Sequence, residues 1–354
     1  MSERLYYAEP FLASFEAHVV DIREVSRNQG QTLWQISLDR TAFYPTSGGQ
    51  PHDTGTLVAT APSGTMLRAP ILMVDEDDAG EVWHTTAKPL LAGTAIFGEI
   101  DWERRRDHMQ QHSGQHLLSA AFLREIGAPT VSFHLGESTS TIDLAIESIS
   151  ADQLRHVEDT ANRVIAENRA VTTRSLSRSE AEALLANGTL RKLPEREGDI
   201  RVIDIENFDL NACGGTHVRS TGQIGGLLLR GTERVKQGVR VEFVCGLRAV
   251  DIARRDWMTL TRAASALSVG LTVVPEAVDR LIAENKSGNK ERQKLREELA
   301  DYYAVRLLVE FPIENGLRIV RRIFLDHDAG YIKLLASRLT ASAPQTCVML
   351  GSTA

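Results

Sequence analysis

The chain has little that could tie it together covalently. Its three cysteines, Cys213, Cys245 and Cys347, are too few for a disulfide framework, which points to a reducing compartment. No apolar run approaches the roughly 18 residues that a membrane-crossing helix needs, so no membrane association is expected. The opening Met1-Ser-Glu-Arg-Leu-Tyr-Tyr7 lacks the apolar core of a secretory signal, and a cytoplasmic location is expected. Positive charge is not in excess either. The formal net charge of −7 argues against indiscriminate nucleic-acid binding and leaves only local basic faces. Two stand out. One is Arg104-Arg105-Arg106. The other is the span from Arg219 to Arg240, where Arg219, Arg230, Arg234, Lys236 and Arg240 stand against Glu233 alone. The remaining composition, 42% hydrophobic and 25% charged over 354 residues, is that of soluble globular protein with room for two or three domains.

Two stretches carry metal-binding residue types. His112-Ser-Gly-Gln-His116 places two imidazoles four positions apart, on one face of a helix that the text from Asp107 to Phe122 supports. Cys213-Gly-Gly-Thr-His217 spaces a thiol and an imidazole equally, but its glycines make it a tight loop. Either pair alone is as well explained by a helix face or a turn. Together, three imidazoles and a thiol are the donor set of a tetrahedral zinc ion (Zn2+). No Glu follows His112, so the general base of zinc peptidases is missing. Gln115 lies one residue before His116, where it could hold water or substrate, or simply point outward. His134, in a strand-like run, is a second candidate for the pocket.

The pattern predicts an α+β protein. Residues 1–103 are rich in short strands, expected at 17–22, 32–38, 54–58, 69–74 and 81–84, and read as a small β-barrel-like domain. Within it, Phe43-Tyr-Pro-Thr-Ser-Gly-Gly-Gln-Pro51 is stiffened by Pro45 and Pro51. Gly48 and Gly49 there let backbone approach a ligand, and Thr46 and Gln50 are its polar groups. Residues 104–248 alternate strands and helices, with capping boxes at Ser150 and Ser177, as an α+β domain around the candidate metal ligands. Residues 249–310 read as a helical arm opened by Pro275. Asn285, Gly288, Asn289 and Arg292 interrupt its apolar seam, so coiled-coil pairing stays open. Residues 311–354 begin a small α/β module that is expected to be incomplete.

The order of four motifs carries a resemblance. Phe43 to Pro51, Asp101-Trp-Glu-Arg-Arg105, His112-x-x-x-His116 and Ala212-Cys-Gly-Gly-Thr-His-Val218 make the chain resemble the free-standing alanyl-tRNA editing proteins of the AlaX family, long form, which are similar to the editing domain of alanyl-tRNA synthetase. The resemblance covers roughly residues 1–250. It implies a hydrolase that removes serine, with glycine as a second candidate, from mischarged tRNA(Ala), with the tRNA acceptor end as partner. It implies His112, His116, Cys213 and His217 as zinc ligands, with Thr46, Gly48, Gly49 and Gln50 in the family's glycine motif. Thr46 is then the residue that recognises the seryl hydroxyl, expected buried. Ser47 stands where many members have another glycine. Arg104, Arg105, Arg106, Lys236 and Arg240 become candidates for tRNA phosphates, and the arm becomes a route to a homodimer. Two other classes remain open: a zinc-stabilised tRNA-binding module without catalysis, and a zinc hydrolase of a small ester or amide.

Overall fold

The computed structural model describes residues 1–28, 31–61, 63–194 and 198–353. The chain divides into two compact units, Met1–Arg255 and Asp256–Ala354.

The first unit begins with a two-residue strand β1 (Glu3–Arg4) and one helical turn, α1 (Leu5–Ala8). Strands β2 (Ser14–Asn28) and β3 (Gln31–Leu38) follow, then the short β4 (Arg40–Thr41), which pairs with β1. Strands β5 (Gly55–Thr60), β6 (Met66–Glu76), β7 (Val82–Thr86) and β8 (Ala95–Ile100) complete a closed barrel in the order β2-β3-β7-β6-β5-β8. The expected barrel is therefore present. Alternation builds it: Phe15, Ala17 and Val19 of β2 point inward while their neighbours are exposed. In β6 the inward set is Ala69, Ile71 and then Val74, because a bulge between Ile71 and Met73 shifts the register by one. Strand β8 is not apparent from the sequence. Gly98 interrupts its apolar pattern, and a side chain there would strike the Phe15 ring.

The rest of the unit is built around one helix, α2 (Trp102–Ile126), capped by the Asp101 carboxylate and ended by Gly127 at φ 65°. Every residue from His108 to Phe122 is buried. The polar residues of this stretch thus form no solvent face. Strands β9 (Thr130–Leu135) and β10 (Ser140–Leu144) come next, followed by α3 (Ala151–Ala166), β11 (Val171–Leu176), α4 (Arg178–Ala186), β12 (Ile200–Ile205) and β13 (Asp209–Ala212). The capping boxes at Ser150 and Ser177 both form. Strands β14 (Leu227–Val235) and β15 (Gly238–Cys245) join β10 and β9 in an antiparallel sheet ordered β14-β15-β10-β9, while β11-β12-β13 form a second. Leu117, Leu118, Ala121 and Phe122 of α2 share a core with Val157 and Ala161 of α3 and with Ile142, Val241 and Phe243 of the larger sheet.

Helix α5 (Gly246–Leu267) starts in the first unit and ends in the second. The second unit contains α6 (Val274–Glu310), with Pro275 in its first turn as the sequence suggests. Strand β16 (Arg318–Phe324), α7 (Ala329–Ser342) and β17 (Thr346–Ser352) follow, the two strands pairing in parallel. Ala300, Ala304 and Leu307 of α6 pack with Val320, Leu335 and Leu339 as its core. Among the described residues, no helix is long and apolar enough to cross a membrane.

Candidate metal centre

Helix α2 and the loop after β13 bring His112, His116, Cys213 and His217 together, with one ligand atom of each within 4.8 Å of the others. The Cys213 Sγ lies 3.4 Å from His112 Nε2 and 3.3 Å from His217 Nε2. Donors around a tetrahedral zinc ion stand about 3.3–3.8 Å apart, so these two contacts already have that spacing. Three local features produce the convergence. A helical turn aligns the rings of His112 and His116, with centroids 5.2 Å apart. Gly215 must be glycine, because a Cβ there would sit 2.2 Å from the His112 ring. Gly114 lets α2 approach β15, where a Cβ would collide with the Cys245 sulfur.

Partners behind the donors set their orientation. His112 Nδ1 meets Gln50 Oε1 at 2.8 Å. That oxygen also accepts from the Thr216 backbone N–H, and the Gln50 amide nitrogen donates to Thr216 Oγ1. The amide is thereby fixed oxygen-toward-histidine, so His112 Nδ1 carries the proton and Nε2 presents its lone pair to the cluster. His217 Nδ1 lies 3.1 Å from Ser113 Oγ, which itself accepts from Val218 N–H. His116 Nδ1 is 3.9 Å from Asp209, a buried carboxylate held by Arg191. Arg201 donates to the carbonyls of Cys213 and Gly215 at 2.8 and 2.9 Å, and the Gly215 N–H points at Cys213 Sγ.

The electrostatics suit a cation. Burial pushes His116 down to about 3, helped by Arg191 and Arg201. Burial and mutual repulsion hold His112 and His217 well below the usual imidazole range. All three are neutral bases with free lone pairs at neutral pH. Desolvation raises the Cys213 thiol, against the pull of Gly215 N–H and Arg201. A divalent ion would reverse that last shift, because a coordinated thiol is deprotonated. The donor set therefore fits a metal ion.

The other expected residues fall differently. Gly48 and Gly49, at φ 55° and 81°, form the two-residue turn between Ser47 and Gln50, and the Gly49 backbone lies against the Phe133 ring. Thr46 is exposed rather than buried, and its hydroxyl is 3.0 Å from His52 Nδ1. Gln50, expected to face substrate, is fully buried between His112 and Thr216. Gln115 is neither outward nor among the donors; its amide nitrogen donates to Ser119 Oγ one helical turn on. His134 is exposed, because strand alternation turns its neighbour Phe133 toward His112 instead, ring centroids 5.8 Å apart. Arg105 cannot meet a phosphate: it is completely buried, paired with Asp53 and bonded to the Pro10 and Ala42 carbonyls. Arg104 is half-buried with its Nε on the His52 carbonyl, while Arg106 is exposed. Lys236 is exposed between β14 and β15, and Arg240 of β15 pairs with Asp143. Ser113, Thr216, Phe133, Asp209 and Arg201 are the participants that sequence reasoning missed. Only Ser113 and Thr216, inside the two motifs, carried a positional signal.

Residues 200–242 match the family described as the threonyl and alanyl tRNA synthetase second additional domain. Alanine–tRNA ligase of Pyrococcus furiosus is 37% identical over 310 residues, which is 84% of this chain and 31% of the ligase. The ligase of Methanosarcina mazei is 32% identical over 350 residues, 96% of this chain and 36% of the ligase. That of Ignicoccus hospitalis is 30% identical over 358 residues, 99% of this chain and 37% of the ligase. The chain spans about a third of the length of these curated relatives.

Proposed function

We propose that this chain, an AlaX-like protein related over most of its length to a third of alanine–tRNA ligase, is a trans-editing hydrolase that deacylates serine-mischarged, and also glycine-mischarged, tRNA(Ala) in the cytoplasm. The observation that carries this is the convergence of His112, His116, Cys213 and His217 behind the glycine turn of the barrel. His112, His116, Cys213 and His217 would hold a zinc ion there, and the bound ion would supply positive charge beside the ester. The chain's own groups do the rest. Gln50 and Ser113 fix the rings of His112 and His217. Phe133 walls the cluster with an apolar ring. Gly48, with open space where a side chain would stand, leaves room for the aminoacyl group to approach backbone, while Gly49 makes room for the Phe133 ring. Thr46, exposed at that turn, exchanges its bond to His52 for one to the seryl hydroxyl, which alanine cannot supply. Arg104, Arg106, Lys236 and Arg240 are the cations proposed for tRNA phosphates.

The experiment is deacylation of Ser-tRNA(Ala) and Ala-tRNA(Ala) by the purified protein, with and without chelator. Serine is expected to leave at least about tenfold faster than alanine, with activity lost on chelation and restored by zinc. Thr46→Val should narrow that preference by about fivefold, the worth of one hydrogen bond. Four-donor closure also favours a second reading, a zinc-stabilised tRNA-binding module. Binding without release in the same assay selects it, and release from small esters but not from tRNA selects a zinc hydrolase of small substrates.

A further inference from the structure

Beside the four donors lies a cavity of about 330 Å³ that the chemistry above leaves unused. Leu193 and Pro194 line it with apolar surface, and Tyr7 of α1 adds an aromatic ring. Lys192 and Arg201 make it positive, and Cys213 belongs both to its wall and to the donor cluster. Arg201 is anchored by the carbonyls of the Cys213 loop, and its guanidinium lies 5.6 Å from the Tyr7 ring centroid. Its Nε is buried with no hydrogen-bond partner among the described residues. Lys192 is exposed at the cavity.

Size and lining restrict the occupant. Small-molecule sites run from about 300 to 1,000 Å³, so this cavity lies at the end suited to one ring system with its sugar and exceeds what an amino acid alone would fill. An aromatic and apolar lining with two cations matches a planar base joined to a phosphate. Single-stranded RNA ends are recognised in this way, by stacking an unpaired base on an aromatic ring or a guanidinium plane. We propose that the cavity is the site for the terminal nucleoside of the tRNA acceptor end, with the base against Tyr7 and Leu193–Pro194 and the adjoining phosphate at Lys192. The inference rests on the editing reading, since a charged tRNA joins this nucleoside to the ester. Because Cys213 is shared, a nucleoside held here sets its esterified ribose beside the four donors.

The test uses the full chain and uncharged tRNA whose terminal adenosine is replaced by 2-aminopurine, a base whose fluorescence falls on stacking. Wild type should quench the emission at saturation. Tyr7→Phe should keep the quench and Tyr7→Leu should lose most of it. Lys192→Ala, an exposed substitution with little bearing on folding, should weaken the dissociation constant about fivefold while leaving the quench at saturation. Unchanged emission with wild type, or the same quench and affinity in Tyr7→Leu and Lys192→Ala, overturns the proposal. No acyl group is involved, so a quench without serine release in the deacylation assay removes the hydrolase reading while the nucleoside site stands.

Discussion

At the scale of single residues, the candidate centre depends on side chains that are not donors. A glutamine can turn either end toward a histidine, and only the backbone N–H of Thr216 decides which end Gln50 presents. With its oxygen held there, the His112 ring has one tautomer, and the nitrogen facing Cys213 is unprotonated. Gln50→Leu keeps the volume of the side chain and removes the acceptor. The ring is then free to rotate, and the Thr216 hydroxyl and amide lose their partner. Loss of such an orienting contact typically weakens metal binding 10–100-fold, and that is the expected fall in zinc affinity, read by competition with a chromophoric chelator. Equal affinity in the variant and wild type would mean that the ring is held by packing alone. Gln50→Glu should retain more affinity than Gln50→Leu, because a carboxylate still accepts from His112 Nδ1.

At the scale of elements, strands and helices with a clean period were legible in the sequence. The alternating strands at 17–22 and 32–38 and the boxes at Ser150 and Ser177 lie where the structure has β2, β3, α3 and α4. Strand β11 was not legible, because only Val171 of its six residues is buried and Thr172-Thr-Arg-Ser175 reads as loop. Helix α2 was legible as a helix but not as a buried one, since its Gln, Ser and His residues look like a wet face until their partners are known. The two candidate ligand pairs could be read from spacing, whereas Asp209 and Arg201 could not, because nothing in the sequence links them to the cluster. The barrel hides a similar dependence. His84 is fully buried, its Nδ1 donating to the Ile36 carbonyl and its Nε2 accepting from the Thr41 hydroxyl, and burial pushes it down to about 4. The unfolded chain takes up a proton near 6.5 and the folded barrel does not. The resulting stability is complete above that value and is lost as pH falls toward 4. Its full size is about 3 kcal/mol, and His84 should account for most of that amount within the difference in urea unfolding between pH 7 and 4.5. The same comparison on His84→Leu, which has no ring to protonate, should show a smaller acid loss.

At the scale of the whole molecule, the candidate chemistry and the arm are separate in the chain. All four donors, the residues that orient them and the cavity beside Cys213 lie in Met1–Arg255. The second unit has its own core, in which Ala300, Ala304 and Leu307 of α6 pack against Val320, Leu335 and Leu339. Toward the other end of α6, Leu281, Ile282 and Leu295 are exposed, as in a helix whose apolar side awaits a partner, and a second copy of the chain is the occupant proposed for it. Asn285 and Asn289 bond to each other on that stretch, which would set the register of such a pair at some expense of strength. A fragment of residues 1–267, cut at the end of α5 so that no helix is severed, separates the two roles. It should bind zinc with the affinity of the full chain, because no donor or orienting residue is removed, and should sediment as a monomer while the full chain sediments as a dimer. Its kcat on Ser-tRNA(Ala) should stay within about twofold. Loss of zinc binding in a folded fragment would mean that the second unit shapes the centre, and a full chain that sediments as a monomer would leave the arm with another purpose.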